Sequence, residues 1–267
     1  MTDTTGNKNR IDVDTKRSEL RGAAGFFESF LRRFRMASYL IALIPLYFTC
    51  LLAMGISVAP GVYLFSLISD KTTSWWPVFH YISLGFGIVL AYFLYGIFLI
   101  FVIPLFNFLI PIRLKPFRGP YYSLTSVPWY IHNAFTYVVR YTFLEFVTPT
   151  PLNILFYKMM GMKIGKGVHI NTTNISDPAL IELEDKVTIG GSATIIAHYA
   201  SQGYLVVERV KIGKGTTVGI KATVMGDVVI GEGAVIAPHE VVYPKSRIPA
   251  GRKNKEELNA ITGSLDQ

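Results

Sequence analysis

The chain has 267 residues, 51% of them hydrophobic, a mean hydropathy of +0.37 and a formal net charge of +8. A single cysteine, Cys50, excludes a disulfide framework and a cysteine metal site. Much of the basic excess lies beside long apolar segments, where anionic lipid headgroups account for it, so no nucleic-acid partner is expected.

Residues 1–35 read as a basic cytoplasmic N-terminus, disordered over Met1–Arg21 and too polar for a cleavable leader. From Met36 to Ile112 the only formally charged residues are Asp70 and Lys71. Met36–Ser69 and Pro77–Ile112 each exceed the ~20 apolar residues that cross a bilayer, so residues 36–112 are expected to form two transmembrane helices. Pro45, Pro60, Pro104 and Pro111 are expected to kink or end them. Arg32, Arg33 and Arg35 precede the pair, and Arg113, Lys115 and Arg118 follow it. This flanking charge predicts cytoplasmic termini and a multi-pass protein of the cell (inner) membrane.

Residues 113–161 are expected to be interfacial amphipathic helices. Tyr121–Val147 is rich in aromatics that suit a headgroup layer. A third span is the alternative, disfavoured because it would carry Arg140 and Glu145 into hydrocarbon.

Residues 162–251 carry a six-residue period. Ile212, Val218, Val224, Ile230, Ile236, Val242 and Ile248 recur in strict phase, with Val206 one step upstream. Leu183, Ile189 and Ile195 repeat the spacing, as do Ile164 and Ile170. A period of six is neither helical nor a simple strand alternation; it marks a solenoid of short strands and tight corners. Gly165, Gly190, Gly213, Gly219 and Gly231 each follow a phased aliphatic residue, which fits corners with positive φ or close backbone approach. The phase breaks twice. One residue is inserted around Asn174–Asp177, and His198–Tyr204 forms a polar interruption expected to be a loop thrown out of the solenoid.

Of five histidines, His198 has the most suggestive setting, three residues past a core position and at the start of the period-breaking loop. It is the candidate proton-transfer residue. His239 lies three past Ile236 in unbroken repeat and reads as structural; His132 reads as interface packing. No metal-ligand spacing, phosphate-binding loop or nucleophile elbow stands out. Residues 252–267 form a C-terminal tail beginning Arg252-Lys253-Asn254-Lys255.

The repeats, the block Ala193-Thr194-Ile195-Ile196-Ala197-His198 and the following Val210–Gly219 resemble the hexapeptide-repeat acyltransferases with a left-handed parallel β-helix. The stretch Pro151–Gly165 is similar to the membrane-embedded C-terminal region of poly-lysine-synthetase-like peptide synthetases. The resemblance implies a membrane α-helical hairpin joined to an all-β left-handed β-helix. It also implies a thioester-dependent acyltransferase with His198 as general base, acting on a hydroxyl or amine acceptor at the cytoplasmic membrane face. It further implies acyl-CoA or a carrier-protein thioester as co-substrate, no metal, and a homotrimer with sites between subunits. A thiolation carrier protein or peptide synthetase would be a partner. The donor would lie against Gly219, Ile220, Ala237, Pro238, Arg252 and Lys253, with the Gly219 N–H as oxyanion donor.

The chain departs from the acetyltransferase branch at Thr217, where that branch has tryptophan, and at Ala250-Gly251-Arg252-Lys253, which lacks its proline. Ile220 and Pro238 replace smaller groove residues. A γ-type carbonic anhydrase would need a further histidine near Gly203. The non-enzymatic alternative is a membrane scaffold or assembly subunit on the same solenoid.

Overall fold

The computed structural model describes residues 15–253; the first 14 residues of the segment expected to be disordered and 254–267 of the tail lie outside the described residues. Helix α1 (Gly22–Arg33) forms in the basic N-terminal segment, directly after the stretch expected to be disordered. Glu28 and Arg32, one turn apart, make a buried 2.6 Å ion pair, while Phe26 and Phe27 stay exposed as an apolar face.

Helices α2 (Arg35–Thr72) and α3 (Pro77–Leu109) form the hairpin. Leu43–Thr72 and Pro77–Leu109, of 30 and 33 residues, are long and apolar enough to cross a membrane. At 1.5 Å per residue they reach about 45 and 50 Å, against a hydrocarbon core of ~30 Å. Pro45 and Pro60 do not end α2, nor Pro104 α3; only Pro111 falls beyond a helix end. The two helices meet through small residues. Ala53 and Ser57 are fully buried, and a Cβ on Gly61 would come within 2.7 Å of the Ala91 carbonyl oxygen.

The segment expected to be purely helical opens with strand β1 (Phe117–Pro120), followed by a 3₁₀ turn, helix α4 (Val127–Thr142), a second 3₁₀ turn and helix α5 (Pro151–Met159). With 16 residues, about 24 Å, α4 is short for a third span, and its polar residues bond to the solenoid instead. The Thr150 hydroxyl caps α5 by accepting from the Leu152 N–H. Fully buried Phe156 and Tyr157 then close the end of the solenoid.

The first solenoid coil is β2 (Lys163–Ile164), β3 (His169–Ile170) and β4 (Ile175–Ser176), and the second β5 (Ile181–Leu183), β6 (Thr188–Ile189) and β7 (Thr194–Ile196). The chain then leaves as the hairpin β8 (His198–Ser201) and β9 (Tyr204–Val207). It returns as β10 (Val210–Ile212), β11 (Thr217–Val218) and β12 (Thr223–Val224), then β13 (Val228–Ile230), β14 (Val235–Ile236) and β15 (Val241–Val242), ending on β16 (Arg247–Ile248). Strands one coil apart pair in parallel into three faces: β16-β13-β10-β5-β2, β14-β11-β6-β3 and β15-β12-β7-β4. This is a left-handed parallel β-helix. Its phased aliphatics stack inward, as Leu183, Ile212 and Ile230 do in register on the first face.

The corners separate two roles that the sequence left joined. The glycines after the phased aliphatics are needed for close approach: a Cβ on Gly219 would meet the Pro238 nitrogen at 2.5 Å, and one on Gly231 the Ala250 nitrogen at 2.4 Å. Positive φ falls instead three residues after most of the phased aliphatics, at Lys186, Ser192, Gly215, Lys221, Asp227, Gly233, His239 and Lys245, but not after Ile170 or Ile195. His239, with φ 60°, is thus one of these corner residues.

The polar interruption is a β-hairpin. Gln202 (φ 51°) and Gly203 (φ 79°) make its two-residue turn, both central residues left-handed. β9 also pairs antiparallel with β1, matching Phe117 with Val207 and Pro120 with Tyr204. Val206 therefore belongs to this three-stranded sheet and not to the six-residue series; the true step from Ile195 to Ile212 contains an inserted hairpin.

Candidate active site

The first break in the period creates the partner of His198. After β4 the chain turns through Asp177 in the left-handed conformation (φ 60°, ψ 45°), followed by the 3₁₀ turn Pro178–Leu180. Asp177 is fully buried. Its carboxylate Oδ2 lies 2.5 Å from His198 Nδ1 and accepts from the Ala197 N–H at 3.2 Å, while Oδ1 accepts from Asn133 Nδ2 at 2.7 Å. A carboxylate only accepts, so in the neutral ring Nδ1 carries the proton and Nε2 the lone pair. The His198 side chain is 22% exposed. Its backbone is fixed opposite Val207 in the hairpin, and the Trp129 ring stands edge-on to its imidazole at 5.1 Å.

One stripe of α4 reads this corner. Trp129 touches His198, Asn133 donates to Asp177, Tyr137 pairs with Ser176 at 3.2 Å, and Arg140 donates to the Asn174 side chain. These residues recur every three or four positions and share one helix face. The helix expected only to lie in the interface thus docks on Asn174–Asp177. Sequence reasoning missed Asp177 and Asn133 as site residues, and the one available signal was the extra residue in the repeat.

His132, on the same helix, is 4% exposed; its Nδ1 lies 3.2 Å from Asn107 Oδ1, and its Nε2 has no hydrogen-bond partner among the described residues. Burial holds its imidazole down to about 4, from an ordinary 6.5, with the Asp177 charge opposing weakly. The folded chain keeps it neutral where the unfolded chain binds a proton. Stability is therefore fully present above pH 6.5 and falls as pH drops from 6.5 towards 4, by on the order of 3 kcal/mol. Urea midpoints measured across that window are expected to fall less steeply for His132→Gln than for the parent.

The residues expected to hold a donor lie elsewhere on the prism. Gly219 and Ile220 sit at the corner between β11 and β12, and Ala237 and Pro238 stack on them one coil along. His198 sits at the next corner, beneath Gly226. Arg252 is tied to Glu240 Oε1 at 2.7 Å, and Lys253 is exposed. The Gly219 N–H donates to the Ile236 carbonyl at 2.9 Å, so the coil hydrogen bond already occupies it and it is no oxyanion donor. Within one chain, His198 and these residues are not brought together. Among the described residues no group of three His, Cys, Asp or Glu side chains could hold a metal ion.

Residues 209–239 match the bacterial transferase hexapeptide (six repeats) family. Over 167 residues the chain is 22% identical to a Delta-poly-L-ornithine synthetase of Acinetobacter baumannii (strain AB307-0294), a match covering 61% of this chain and 12% of that relative. The chain thus corresponds to about an eighth of the relative's length. Serine acetyltransferase isoform 3 of Entamoeba histolytica, solved in complex with cysteine, aligns over 75% of this chain and 76% of its own at 13% identity. Its TM-score of 0.16 is too low to carry weight. The chain is folded as a left-handed parallel β-helix of hexapeptide repeats, and its residues 209–239 are similar to the bacterial transferase hexapeptide family.

Proposed function

We propose that the protein is a membrane-anchored acyltransferase of the cytoplasmic membrane face, using a thioester donor on CoA or a carrier protein. The observation that carries this reading is the 2.5 Å contact between His198 Nδ1 and the fully buried Asp177 carboxylate. Asp177 orients the ring and favours the tautomer with a free Nε2. His198 takes the proton from an acceptor hydroxyl or amine as that atom attacks the thioester carbonyl. The tetrahedral intermediate expels the thiolate, which takes the proton back from the imidazolium. An acetyl, longer acyl or aminoacyl group all fit this chemistry, and the likeness to a poly-ornithine synthetase supports the last.

The donor residues occupy a different prism corner from His198. A homotrimer would solve this by setting the Ile220–Pro238 corner of one copy against His198 of the next. Helices of 30 and 33 apolar residues supply the anchor, and the basic flanks support cytoplasmic termini.

The test is heat stability of detergent-purified protein titrated with acetyl-CoA and longer acyl-CoAs. Ligand that binds only the folded state is expected to stabilise it by ~2.7 kcal/mol at a hundredfold excess over Kd. A saturable rise graded by acyl length supports a CoA donor. No rise with any acyl-CoA rules out that donor and leaves a carrier-protein thioester or a scaffold role, which the His198→Ala variant then separates in cells.

A further inference from the structure

An apolar cavity of about 290 Å³ lies where the membrane hairpin meets α4. Leu43 and Leu46 of α2, Ile110, and Val127, Ile131 and Phe135 form much of its wall. The volume is about twice that of an apolar cavity of ~150 Å³ that takes benzene. The serine and threonine hydroxyls in the wall are already bonded to backbone carbonyls. Thr49 donates to the Pro45 carbonyl, Ser123 to that of Pro120, and Ser126 to those of Tyr121 and Ser123. Water entering the cavity would find few partners, whereas hydrocarbon would lose nothing.

The surroundings define what kind of hydrocarbon fits. Ile110, in the wall, caps the C-terminal end of α3, and Leu43 and Leu46 lie in the N-terminal part of α2, so the cavity sits at one end of the apolar hairpin. Tyr122, in its wall, carries the Arg35 guanidinium 5.7 Å from its ring, a cationic rim. Tyr121, also in the wall, stands edge-on to Trp129 at 6.5 Å, and Trp129 is edge-on to His198 at 5.1 Å. One aromatic ring therefore separates the cavity wall from the imidazole. None of the residues expected to bind the thioester lines this cavity.

We infer that the cavity holds the hydrocarbon tail of an anionic bilayer amphiphile, and that this lipid is the acyl acceptor, its head presented to His198. The inference rests on the acyltransferase reading above. The head's hydroxyl or amine gives its proton to His198. Its oxygen or nitrogen bonds to the acyl carbon as the C–S bond breaks, and the thiol leaves with the proton.

The experiment uses the full chain in phosphatidylcholine nanodiscs doped with a phosphatidylglycerol bearing a diazirine in its acyl chain. After photolysis, labelled peptides are mapped by mass spectrometry. Labelling is expected within Leu43–Thr49 and Val127–Phe135, saturable, competed by unlabelled phosphatidylglycerol, and lost in Leu46→Trp and Ile131→Trp. His198→Ala should label as the parent does. Should either tryptophan variant lose its thermal transition, competition on the parent protein decides alone. Labelling confined to lipid-facing positions such as Leu51 and Phe86 would overturn the tail site, even with thioester turnover intact. Specific labelling with no acyl transfer to lipid would overturn the acceptor assignment.

Discussion

His198→Ala is expected to lower acyl transfer about 10²–10⁴-fold, the range for loss of one proton-transfer group, with the thermal transition retained. The side chain is partly exposed and lies outside the phased aliphatic rows of the core, so the fold should tolerate its removal. Asp177→Asn should produce a loss of similar order through kcat, with KM little changed and the pH profile altered, because an amide no longer holds Nδ1 protonated. Asp177 also receives the Ala197 N–H and Asn133, so some stability falls with it; the pH profile separates orientation from folding. Parent-level turnover in His198→Ala would remove His198 from the proton-transfer role, whereas parent-level function in cells without any acyl transfer would favour a scaffold.

Ile212→Ala is expected to cost about 2–5 kcal/mol in chemical denaturation. Ile212 is fully buried and held in register between Leu183 and Ile230 on the five-stranded face. Each coil touches chiefly its neighbours, so a void there weakens two interfaces and has no spare side chain to fill it. Val229→Ala on the adjoining coil is the control. That side chain is 38% exposed and points out of the prism, and its truncation should change stability by no more than about 0.5 kcal/mol. Equal losses at the two positions would contradict an inward Ile212 row.

The six-residue period was legible because a β-helix buries one residue per face at a constant step, so the linear code and the packed row are the same object. It held from Ile212 to Ile248 and failed at Val206, where an antiparallel hairpin satisfies a different set of backbone partners. The structural reading of His239 also follows from local geometry, three residues past a phased aliphatic with φ 60°. Pro111 lies beyond the end of α3, whereas α2 passes through Pro45 and Pro60 and α3 through Pro104 without ending.

Composition and periodicity thus determined the apolar hairpin, the solenoid and the singular position of His198, because each depends on patterning along the chain. The partners of His198 were decided only by tertiary structure. Asp177 lies 21 residues before it and Asn133 lies 44 before Asp177; they converge because the coil stacks β4 beside β7 and α4 docks its polar stripe on that corner. No spacing rule links a helix outside the solenoid to one inserted residue within it. The link is made by a buried carboxylate that must find donors wherever the fold supplies them.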